Sequence, residues 1–531
     1  MPTQADTMEK IVALCRRRGF IFGSSEIYGG IGGFWDYGPL GTELKRNIKD
    51  AWWNDMVRNP LLGPGDTEYQ MVGVDCSIIM NPKVWEASGH VGGFNDPMCD
   101  CKQCRGRFRE DQVEEAVCET GWHQELKQIW RETTPPDLDR LKSWANKRGK
   151  KLAPGLGLVR DPNAVLQAIA AAAEQEDEAT RDTLDGLGRL LLNPSGQQYA
   201  AQTCPVCGGE LTEAREFNLM LQTHVGALQD SSSLAYLRPE TAQGIFANFK
   251  NVVDTTRVRV PFGIAQIGKA FRNEINPRNY TFRSREFEQM EIEFFCHPDE
   301  ADRWYEYWRD LRHHWYSEMG LKSDKLRLRN HEPDELAHYA KGCADVEYEF
   351  PFGVSELEGI ANRTDFDLTA HKNASGKDLS YFDPDRGEKG ERYIPYVIEP
   401  SAGVDRFALA VICEAYSYDE SRASPEFMRF HPRLAPVKAA VFPLVAKDGM
   451  PEIAEPIYRE IRKHYPCRYD AKQSIGRRYA RMDEAGTPFC FTIDGQTKED
   501  GTVTVRDRDD ASQIRIHGSR CEEYLRDHLH G

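Results

Sequence analysis

The stretch over residues 271–295, FRNEINPRNYTFRSREFEQMEIEFF, constrains the fold of this chain more than any other stretch. The run before it, residues 258–270, is apolar with scattered polar residues, a pattern that favours a half-buried strand. Asn276 and Pro277 open a turn signal, and an alternating segment follows the turn. The sequence therefore predicts a strand, a loop and a second strand.

The second of these strands has two different faces. Side chains alternate along a strand, so Phe287, Gln289 and Glu291 fall on one face. The opposite face carries three apolar residues: Met290, Ile292 and Phe294. One face is thus predicted to pack on a core, while the other presents a ring, an amide and a carboxylate to a cleft.

Three arginines flank the same stretch: Arg272, Arg283 and Arg285. A guanidinium fork binds phosphate and a flat ring stacks on a base, so this combination suits a nucleotide. The alternative interpretation is an exposed hairpin with a solvated charged face, which is what most charge-rich hairpins are.

Composition bounds the class of protein. At 531 residues the chain is expected to hold two or three domains. No apolar run approaches the ~20 residues of a membrane span, and the first residues lack the apolar core of a signal peptide, so we expect a cytoplasmic protein without membrane contact. The formal net charge of −16 does not exclude nucleic acid, because a local basic face can bind RNA on an acidic protein. Four basic residues that cluster around one predicted helix form such a candidate face, for which a solvated helix face is the alternative: Lys472, Arg477, Arg478 and Arg481.

Four of the 14 cysteines form two C-x-x-C pairs, whereas the others are mostly scattered. The pairs are Cys101 with Cys104 and Cys204 with Cys207. Two such pairs in a chain with no disulfide context predict a tetrahedral four-thiolate zinc site. Coincidental free thiols are the alternative, and Cys99 and Cys118 lie nearby as further candidates.

Composition also divides the chain into four segments: 1–121, 122–195, 196–433 and 434–531. Alanine, leucine and charged residues dominate segment 122–195, which predicts a helical insertion. Segment 434–531 alternates predicted strands and helices, a pattern typical of an α/β domain with a mostly parallel sheet.

The residue order F-R-x-E, a loop, and R-x-x-x-F-x-x-x-E resembles motif 2 of the class II aminoacyl-tRNA synthetases. Three strings narrow the resemblance to the single-chain, homodimeric glycyl-tRNA synthetases: RPETAQGIF at 238–246, FRNEI at 271–275 and EPSAGVDR at 399–406. The resemblance covers nearly the whole chain apart from residues 122–194. It implies an α+β fold with an antiparallel catalytic sheet flanked by helices, a helical and zinc-knuckle insertion, and a C-terminal anticodon-binding domain.

The same resemblance implies a motif 1, the dimer interface of class II enzymes. It would comprise a helix that opens at Pro39, a strand at residues 76–80, and Pro82. The helix carries an apolar stripe at helical spacing: Leu40, Leu44, Ile48, Ala51 and Trp52. An ordinary core helix is the alternative interpretation of the stripe.

The reaction implied by the resemblance has two steps. Glycine's carboxylate attacks the α-phosphate of ATP to give glycyl-adenylate and pyrophosphate, and a ribose hydroxyl of the terminus of tRNA(Gly) then takes the glycyl group. The resemblance implies that Arg272 binds the α-phosphate, that Arg406 binds the γ-phosphate and that Glu356 binds a Mg²⁺ ion. With Glu291, the two arginines are the implied catalytic residues. The implied ATP site consists of Arg272, Asn273, Glu274, Phe282, Arg283, Ser284, Arg285, Glu286, Phe287, Glu356, Leu357, Gly403, Val404, Asp405 and Arg406.

Glycine has no side chain to recognise, so a site can only grip its charges and exclude anything larger. By resemblance, Glu240, Glu291 and Glu399 surround the ammonium group, and a small rigid pocket rejects alanine without editing. Arg109 matches an arginine that contacts substrate in the family, although this chain has Glu110 where the family usually has alanine. The implied glycine site consists of Arg109, Glu240, Phe287, Glu288, Gln289, Met290, Glu291, Glu399, Pro400, Ser401, Ala402 and Gly403.

Two other functions are compatible with the class II pattern. One is a synthetase-like paralogue that binds nucleotide or RNA without charging tRNA. The other is a class II enzyme for a different amino acid. The joint presence of Arg272, Phe287, Glu291 and Arg406 disfavours the first, and the three-acid set disfavours the second.

Overall fold

The computed structural model describes residues 4–118, 204–227, 229–337, 339–422 and 424–529, together with 120, 121, 124, 125, 128, 140 and 143. The chain divides into two compact units, residues 1–90 with 220–531 and residues 91–219. The predicted helical insertion at 122–195 lies almost wholly outside the described residues.

Helices and strands alternate irregularly, as the α+β prediction requires. Among the described residues the α-helices are α1 (Gln4–Arg18), α2 (Pro39–Trp53), α3 (Pro82–Ala87), α4 (His90–Gly93), α5 (Glu110–Cys118), α6 (Ala242–Thr256), α7 (Ala301–Glu318), α8 (Phe366–Ser375), α9 (Val404–Ala415), α10 (Met450–Ile461), α11 (Ile475–Ala485), α12 (Thr497–Asp500) and α13 (Cys521–Leu529). Within the described ranges, none of them combines the length and apolar character that crossing a bilayer requires.

The strands are β1 (Ile21–Gly23), β2 (Trp35–Tyr37), β3 (Gln70–Gly73), β4 (Asn95–Asp100), β5 (Arg107–Arg109), β6 (Arg215–Asn218), β7 (Gln222–His224), β8 (Leu234–Tyr236), β9 (Phe262–Phe271), β10 (Glu286–Cys296), β11 (Leu326–Asn330), β12 (Gly342–Phe350), β13 (Gly353–Thr364), β14 (Tyr381–Asp383), β15 (Glu391–Tyr393), β16 (Tyr396–Gly403), β17 (Tyr416–Tyr418), β18 (Glu426–Met428), β19 (Ala439–Pro443), β20 (Cys467–Tyr469), β21 (Phe489–Ile493), β22 (Thr502–Asp507) and β23 (Gln513–His517).

The principal sheet of the first unit has seven strands in the order β11-β12-β13-β16-β10-β9-β3. All neighbours are antiparallel except β3 and β9, which are parallel. The predicted strand–loop–strand is β9 and β10, paired in register with Glu291 opposite Gln266. On its other side β10 pairs with β16, where Glu291 lies opposite Ser401. The strand from motif 2 is therefore interior to the sheet.

The two faces of β10 differ as predicted. Met290, Ile292 and Phe294 are fully buried in a core formed with helices α2, α7 and α9. Each such side chain contributes about 1.5–3 kcal/mol on burial. Helix α9 is itself buried along nearly its whole length, and Arg406 lies in its first turn, also as predicted.

The burial of helix α2 decides between the two interpretations of its apolar stripe. It begins at Pro39, and all five stripe residues are buried within this chain. The stripe is thus ordinary core, as the alternative held, and the expectation of a dimer rests on the family resemblance alone.

The strand predicted at residues 76–80 is wrong. The strand in this region is β3, which pairs with β9 over Gln70–Gly73. The ladder stops soon afterwards because the side-chain Oε1 of Gln266, instead of a backbone carbonyl, accepts from the Cys76 amide at 2.6 Å. Residues 76–80 contribute only one isolated bridge, Ile79 with Leu237, and Pro82 then begins helix α3.

The C-terminal sheet has the order β20-β19-β21-β22-β23 and its own apolar core. The prediction of a mostly parallel sheet is wrong, because β19 pairs in parallel with β20 and β21 while β21–β22 and β22–β23 are antiparallel. The physical reason is the short connection through α12, since a few residues can return a chain only to an antiparallel neighbour. Strand β23 and helix α13 were not predicted.

The second unit contains a three-stranded antiparallel sheet in the order β5-β4-β6. Strand β4 joins two distant parts of the sequence, because β5 follows it closely and β6 returns after residue 203. Both C-x-x-C pairs lie beside this sheet, and Cys101 forms an isolated bridge with Leu211.

Candidate active site

A cavity of about 310 Å³ opens on the face of the seven-stranded sheet that carries Phe287 and Gln289. Strands β10, β12, β13 and β16 and the loop between β9 and β10 contribute its walls. Its lining residues are Arg272, Glu274, Thr281, Phe282, Arg283, Ser284, Phe287, Gln289, His331, Tyr339, Cys343, Asp345, Glu356, Gly359, Ala361, Glu399, Ser401, Ala402, Gly403, Asp405 and Arg406.

Two arginines in the cavity wall lie against aromatic rings. The guanidinium of Arg272 is 5.3 Å from the centre of the Phe287 ring, and its Nε donates to the carbonyl of Pro239 at 3.1 Å. The guanidinium of Arg406 is 4.7 Å from the centre of the Phe282 ring. Both cations are therefore oriented by packing before any anion arrives, as a site for a polyphosphate requires.

Glu356 is the acidic group beside these arginines. One of its carboxylate oxygens lies 3.1 Å from Nη1 of Arg406. The charge of Arg406, with a further contribution from Arg272, holds the pKa of Glu356 below its ordinary value. The carboxylate is thus ionised at neutral pH and 46% of its side-chain surface is exposed, both of which a Mg²⁺ ligand needs.

Several residues of the predicted ATP site do not line the cavity. Leu357 and Val404 are buried in the core, and Glu286 pairs with Lys269. Arg285 donates from Nε to the carbonyl of Glu274 at 2.7 Å, so it holds the loop between β9 and β10 in place. Asn273 is half-buried beside Arg272 and is also outside the lining.

The three predicted ammonium-binding acids lie near one another, and of these Glu399 lines the cavity whereas Glu240 and Glu291 are outside its lining. Glu291 is 1% exposed, and one of its oxygens accepts from the Ser401 hydroxyl at 2.7 Å while the other accepts from Thr241. Glu399 accepts from Nη1 of Arg363 with both carboxylate oxygens at 2.9 Å. These contacts fix two carboxylates from different strands close to each other, with one oxygen of each within 4.8 Å of the other.

Glu240, in the segment that precedes α6, lies close enough to Glu291 and Glu399 for its charge to act on both. It accepts from Nε2 of Gln243 at 2.9 Å, and its other oxygen lies 3.4 Å from Nε2 of His90. Burial opposes ionisation of Glu240, but His90, Arg363 and Gln243 together hold its pKa below the ordinary value. Glu240 is therefore a carboxylate at neutral pH.

The pKa values of the other two acids are raised instead of lowered. Burial and the charge of Glu240 raise the pKa of Glu291, against the hydrogen bonds from Ser401 and Thr241. Burial also raises the pKa of Glu399 to about 8, with Glu291 and Glu240 adding to the effect and Arg363 opposing it. A cation among these acids would lower both values, so the arrangement favours an ammonium ligand.

Two residues of the predicted glycine site face away from the cavity. Met290 is in the core, and the Glu288 carboxylate pairs with Lys45 at 2.7 Å and Lys49 at 2.9 Å. The cause is strand alternation, because a contiguous run along β10 cannot present all its side chains to one face. Pro400 of β16 is likewise buried outside the lining.

Sequence reasoning missed several residues of the site. One of them is Arg363, which holds Glu399 in place. Its Nε also donates to Asp367 at 2.7 Å, and the four-residue spacing of this Arg–Asp pair was the only feature of the sequence that pointed to Arg363. The cavity edge formed by His331, Cys343 and Asp345 gave no signal at all. Those three meet only because β11 pairs with β12.

The four predicted zinc ligands come together in the second unit. One ligand atom from each of Cys101, Cys104, Cys204 and Cys207 lies within 4.8 Å of the others. The Cys101–Cys207 and Cys104–Cys204 sulfur pairs are 3.5 Å and 3.6 Å apart. Thiolates at ~2.3 Å from a tetrahedral zinc would be about 3.8 Å apart, so the residues fit this metal. Cys99 is outside the cluster, with its sulfur directed to the carbonyl of Phe108, and the Cys118 side chain is outside the described residues.

The predicted basic face of helix α11 is only partly available. Arg478 is 1% exposed, and its guanidinium donates to the carbonyls of Pro443 and Asp470 at 2.7 and 2.9 Å. Arg481 pairs with Asp470 at 2.6 Å. Lys472 and Arg477 are exposed. The buried guanidinium therefore secures the chain after β19 instead of facing solvent.

Comparison with known proteins identifies the family. Residues 227–416 match the family model described as "tRNA synthetase class II core domain (G, H, P, S and T)", and residues 438–528 match "Anticodon binding domain". The glycine–tRNA ligase of Rhodopirellula baltica is 49% identical, with 96% of this chain and 97% of that protein aligned. That of Caldanaerobacter subterraneus subsp. tengcongensis is 46% identical over 100% of both chains. The chain belongs to the glycine–tRNA ligase family.

The fold of this glycine–tRNA ligase family member agrees with a distant class II structure. A crystal structure of prolyl-tRNA synthetase from Cryptosporidium parvum, complexed with halofuginone and AMPPNP, aligns with a TM-score of 0.58 at 10% identity. The alignment covers 100% of this chain and 77% of that one. The class II α+β fold is thereby confirmed, while the sequence matches confirm the predicted family and the anticodon-binding domain.

Arg109 is the remaining residue of the predicted glycine site. It ends strand β5 in the second unit, where its Nη1 lies 3.2 Å from Asp96. Its role toward substrate in this glycine–tRNA ligase family member stays a prediction. So do the four segment boundaries.

Proposed function

We propose that this chain attaches glycine to tRNA(Gly) through a glycyl-adenylate intermediate, with ATP as co-substrate. The observation that carries the proposal is the grouping of Glu240 and Glu291 around Glu399, which lines the same cavity as Arg272 and Arg406. Ser401, which donates to Glu291, lies in the same cavity wall. A cation-binding corner next to a polyanion-binding wall suits one small zwitterion and one nucleotide triphosphate.

The first step needs alignment and charge stabilisation, because glycine's carboxylate is already a nucleophile. Phe287 stacks on adenine, Arg272 binds the α-phosphate and Arg406 the γ-phosphate. The γ-phosphate end lies at the first turn of α9, where the helix dipole also favours an anion. Bound Mg²⁺ would neutralise charge on the phosphates, and Glu356 is the residue that would hold it.

Selectivity for glycine follows from charge and space. The carboxylates concentrate negative potential on one ammonium group, while a methyl group at the α-carbon would meet the wall around Ser401 and Gln289. A site built for a larger side chain could not achieve this, because a missing methylene changes binding by only ~1–3 kcal/mol. Exclusion by the wall makes editing unnecessary.

Charging of tRNA(Gly) with labelled glycine tests the proposal directly. Glycyl-tRNA should form in the presence of ATP and Mg²⁺. Normal adenylate formation without any charged tRNA would favour the alternative, a paralogue that binds nucleotide or RNA but does not charge it.

We further propose a structural zinc ion on the four cysteines. Purified protein should contain about one zinc per chain, and Cys204→Ser should lose it, as measured by elemental analysis. Cys99→Ser is the matched control, because Cys99 is a buried cysteine of the same unit outside the cluster. Zinc retained by the Cys204 variant, or absent from the wild type, would refute the site.

The exposed basic residues of the C-terminal domain are proposed to contact phosphates of the tRNA anticodon arm. The double change Lys472→Ala and Arg477→Ala should raise the KM for tRNA(Gly) and reduce the slope of log affinity against log salt by about 1 to 2. Pyrophosphate exchange should be unaffected. Arg459→Ala, which removes an exposed cation from helix α10, is the control, and equal effects of both changes on charging would contradict the assignment.

We also propose that the protein is a cytoplasmic homodimer, with catalytic segments 1–121 and 196–433, an insertion at 122–195 and an anticodon-binding domain at 434–531. Sedimentation equilibrium of the purified chain would distinguish a dimer from the 60.5 kDa monomer.

A further inference from the structure

Glu293 is a buried acid that the proposed reaction does not use. It lies two residues beyond Glu291 on the same face of β10, and its exposed fraction is 0%. The register places it opposite Glu399 on β16, because Glu291 pairs with Ser401 and Phe294 pairs with Ile398. Beyond it, Phe295 packs into an apolar cluster with Phe249 and Phe262. Glu293 therefore lies beneath the ammonium-binding acids, between them and a core.

The hydrogen bonding of Glu293 differs from that of its neighbours. Neither of its carboxyl oxygens has a hydrogen-bond partner within the described part of the chain. One oxygen from each of Glu291, Glu293 and Glu399 lies within 4.8 Å of the others. Glu291 and Glu399 are each held by two hydrogen bonds, so Glu293 is the member of this cluster that no hydrogen bond from the described residues orients.

The charged groups that face Glu293 come from four elements. Glu291 shares its strand, Glu399 lies on β16, Arg363 on β13 and Asp367 on α8. Arg363 is the cation of this set, and each of its nitrogens donates to another acid: Nη1 to Glu399 at 2.9 Å, and Nε and Nη2 to Asp367 at 2.7 and 2.9 Å. More distant members of the network are Glu240 and His371, which Gln243 joins through hydrogen bonds of 2.9 and 2.8 Å.

Two carboxylates that face each other across a buried strand pair cannot both stay ionised without a cation between them. Both oxygens of Glu399 accept from Nη1 of Arg363, which opposes protonation of Glu399, whereas neither oxygen of Glu293 has a donor within the described part of the chain. The proton of the pair therefore belongs to Glu293, and burial together with Glu399 and Glu291 raises its pKa well above the ordinary value.

We propose that Glu293 is a positioning residue of the amino-acid pocket, which holds a proton in the empty pocket and releases it when the ammonium group of glycine binds. The inference rests on the proposed function. In the exchange, the neutral carboxyl becomes a carboxylate, its proton passes to the buffer, and the ammonium group keeps all its protons. The pocket thus carries less uncompensated charge when empty and gains one negative charge when the cation is present.

Release of a proton on binding determines how the affinity for an ammonium-bearing ligand depends on pH. Below the pKa of Glu293, binding of an ammonium-bearing ligand releases protons, so its affinity rises as pH rises. One released proton corresponds to about tenfold in affinity per pH unit. Glutamine at position 293 cannot take part, so the affinity of Glu293→Gln should change by a smaller factor over the same range.

Calorimetry with 5′-O-(glycylsulfamoyl)adenosine, a stable glycyl-adenylate analogue, measures this release. Titrations at one pH in phosphate and in Tris, whose ionisation enthalpies differ, give the number of protons released. We expect on the order of one proton for the wild type and at most half that number for Glu293→Gln. Sulfamoyladenosine without the glycyl group is the control ligand and should release none in either protein.

Equal release by the two proteins, or no release by the wild type, would overturn the inference while leaving the proposed function intact. Failure of the wild type to bind the analogue in any buffer would contradict the proposed function itself. If the glutamine variant does not fold, Glu293→Met supplies a second neutral side chain of similar length, and the wild-type measurement remains decisive by itself.

Discussion

Replacing Arg272 with alanine should lower the rate of glycine-dependent pyrophosphate exchange by roughly two orders of magnitude or more, as loss of a preorganised oxyanion donor does. Arg272 lies in the cavity wall, packed against Phe287, with its Nε fixed by the carbonyl of Pro239. The guanidinium is thus already aimed when charge develops on the α-phosphate. Its loss should lower kcat more than it raises the KM for ATP.

The matched control for this change is Arg327→Ala. Arg327 lies on the same sheet, on β11, where it is 56% exposed and pairs loosely with Glu349 at 3.6 Å. Its removal should leave exchange unchanged. Near-normal exchange by the Arg272 variant would refute the role given to that residue.

Replacing Glu291 with glutamine should weaken glycine binding by about thirtyfold or more, because removing one partner of a buried charge pair costs roughly 2–5 kcal/mol. The amide keeps the shape of the side chain and can still bond Ser401, so the change removes charge more than structure. Affinity for ATP should change little. Alanine should still be rejected, because exclusion depends on the wall of the pocket and not on its charge.

Separate measurements of glycine and ATP affinity are needed for this variant, with alanine activation measured alongside. Glu349→Gln is the control, since Glu349 is an exposed acid on β12 away from the cavity. A loss confined to ATP would assign Glu291 to the nucleotide or its metal, and the ammonium site would then have to lie elsewhere.

The strand at the centre of the site could be predicted because its pattern is local. Alternation in a half-buried strand places Phe287 and Gln289 on the face opposite Met290, Ile292 and Phe294, and β10 has that arrangement. The same rule shows why Glu288 and Met290 could not be cavity residues: a motif read as a continuous run ignores the two faces.

The features of the site and fold that could not be predicted from the sequence depend on contacts between distant segments. The sequence pattern does not distinguish Arg478 from an exposed arginine. In the fold, the ends of β19 and β20 bring three backbone carbonyls to its guanidinium. The acid pair of Glu293 and Glu399 exists only because β10 and β16 are neighbours in a particular register. The convergence of Glu240 with the other acids was likewise available only from the family resemblance.

Pyrophosphate exchange by the purified protein with a panel of amino acids tests the central claim most directly. The panel should include glycine, alanine, serine and proline, each with ATP and Mg²⁺. We expect exchange with glycine and none above background with the other three. Exchange that requires no amino acid, that fails with glycine, or that proceeds equally well with alanine would contradict it.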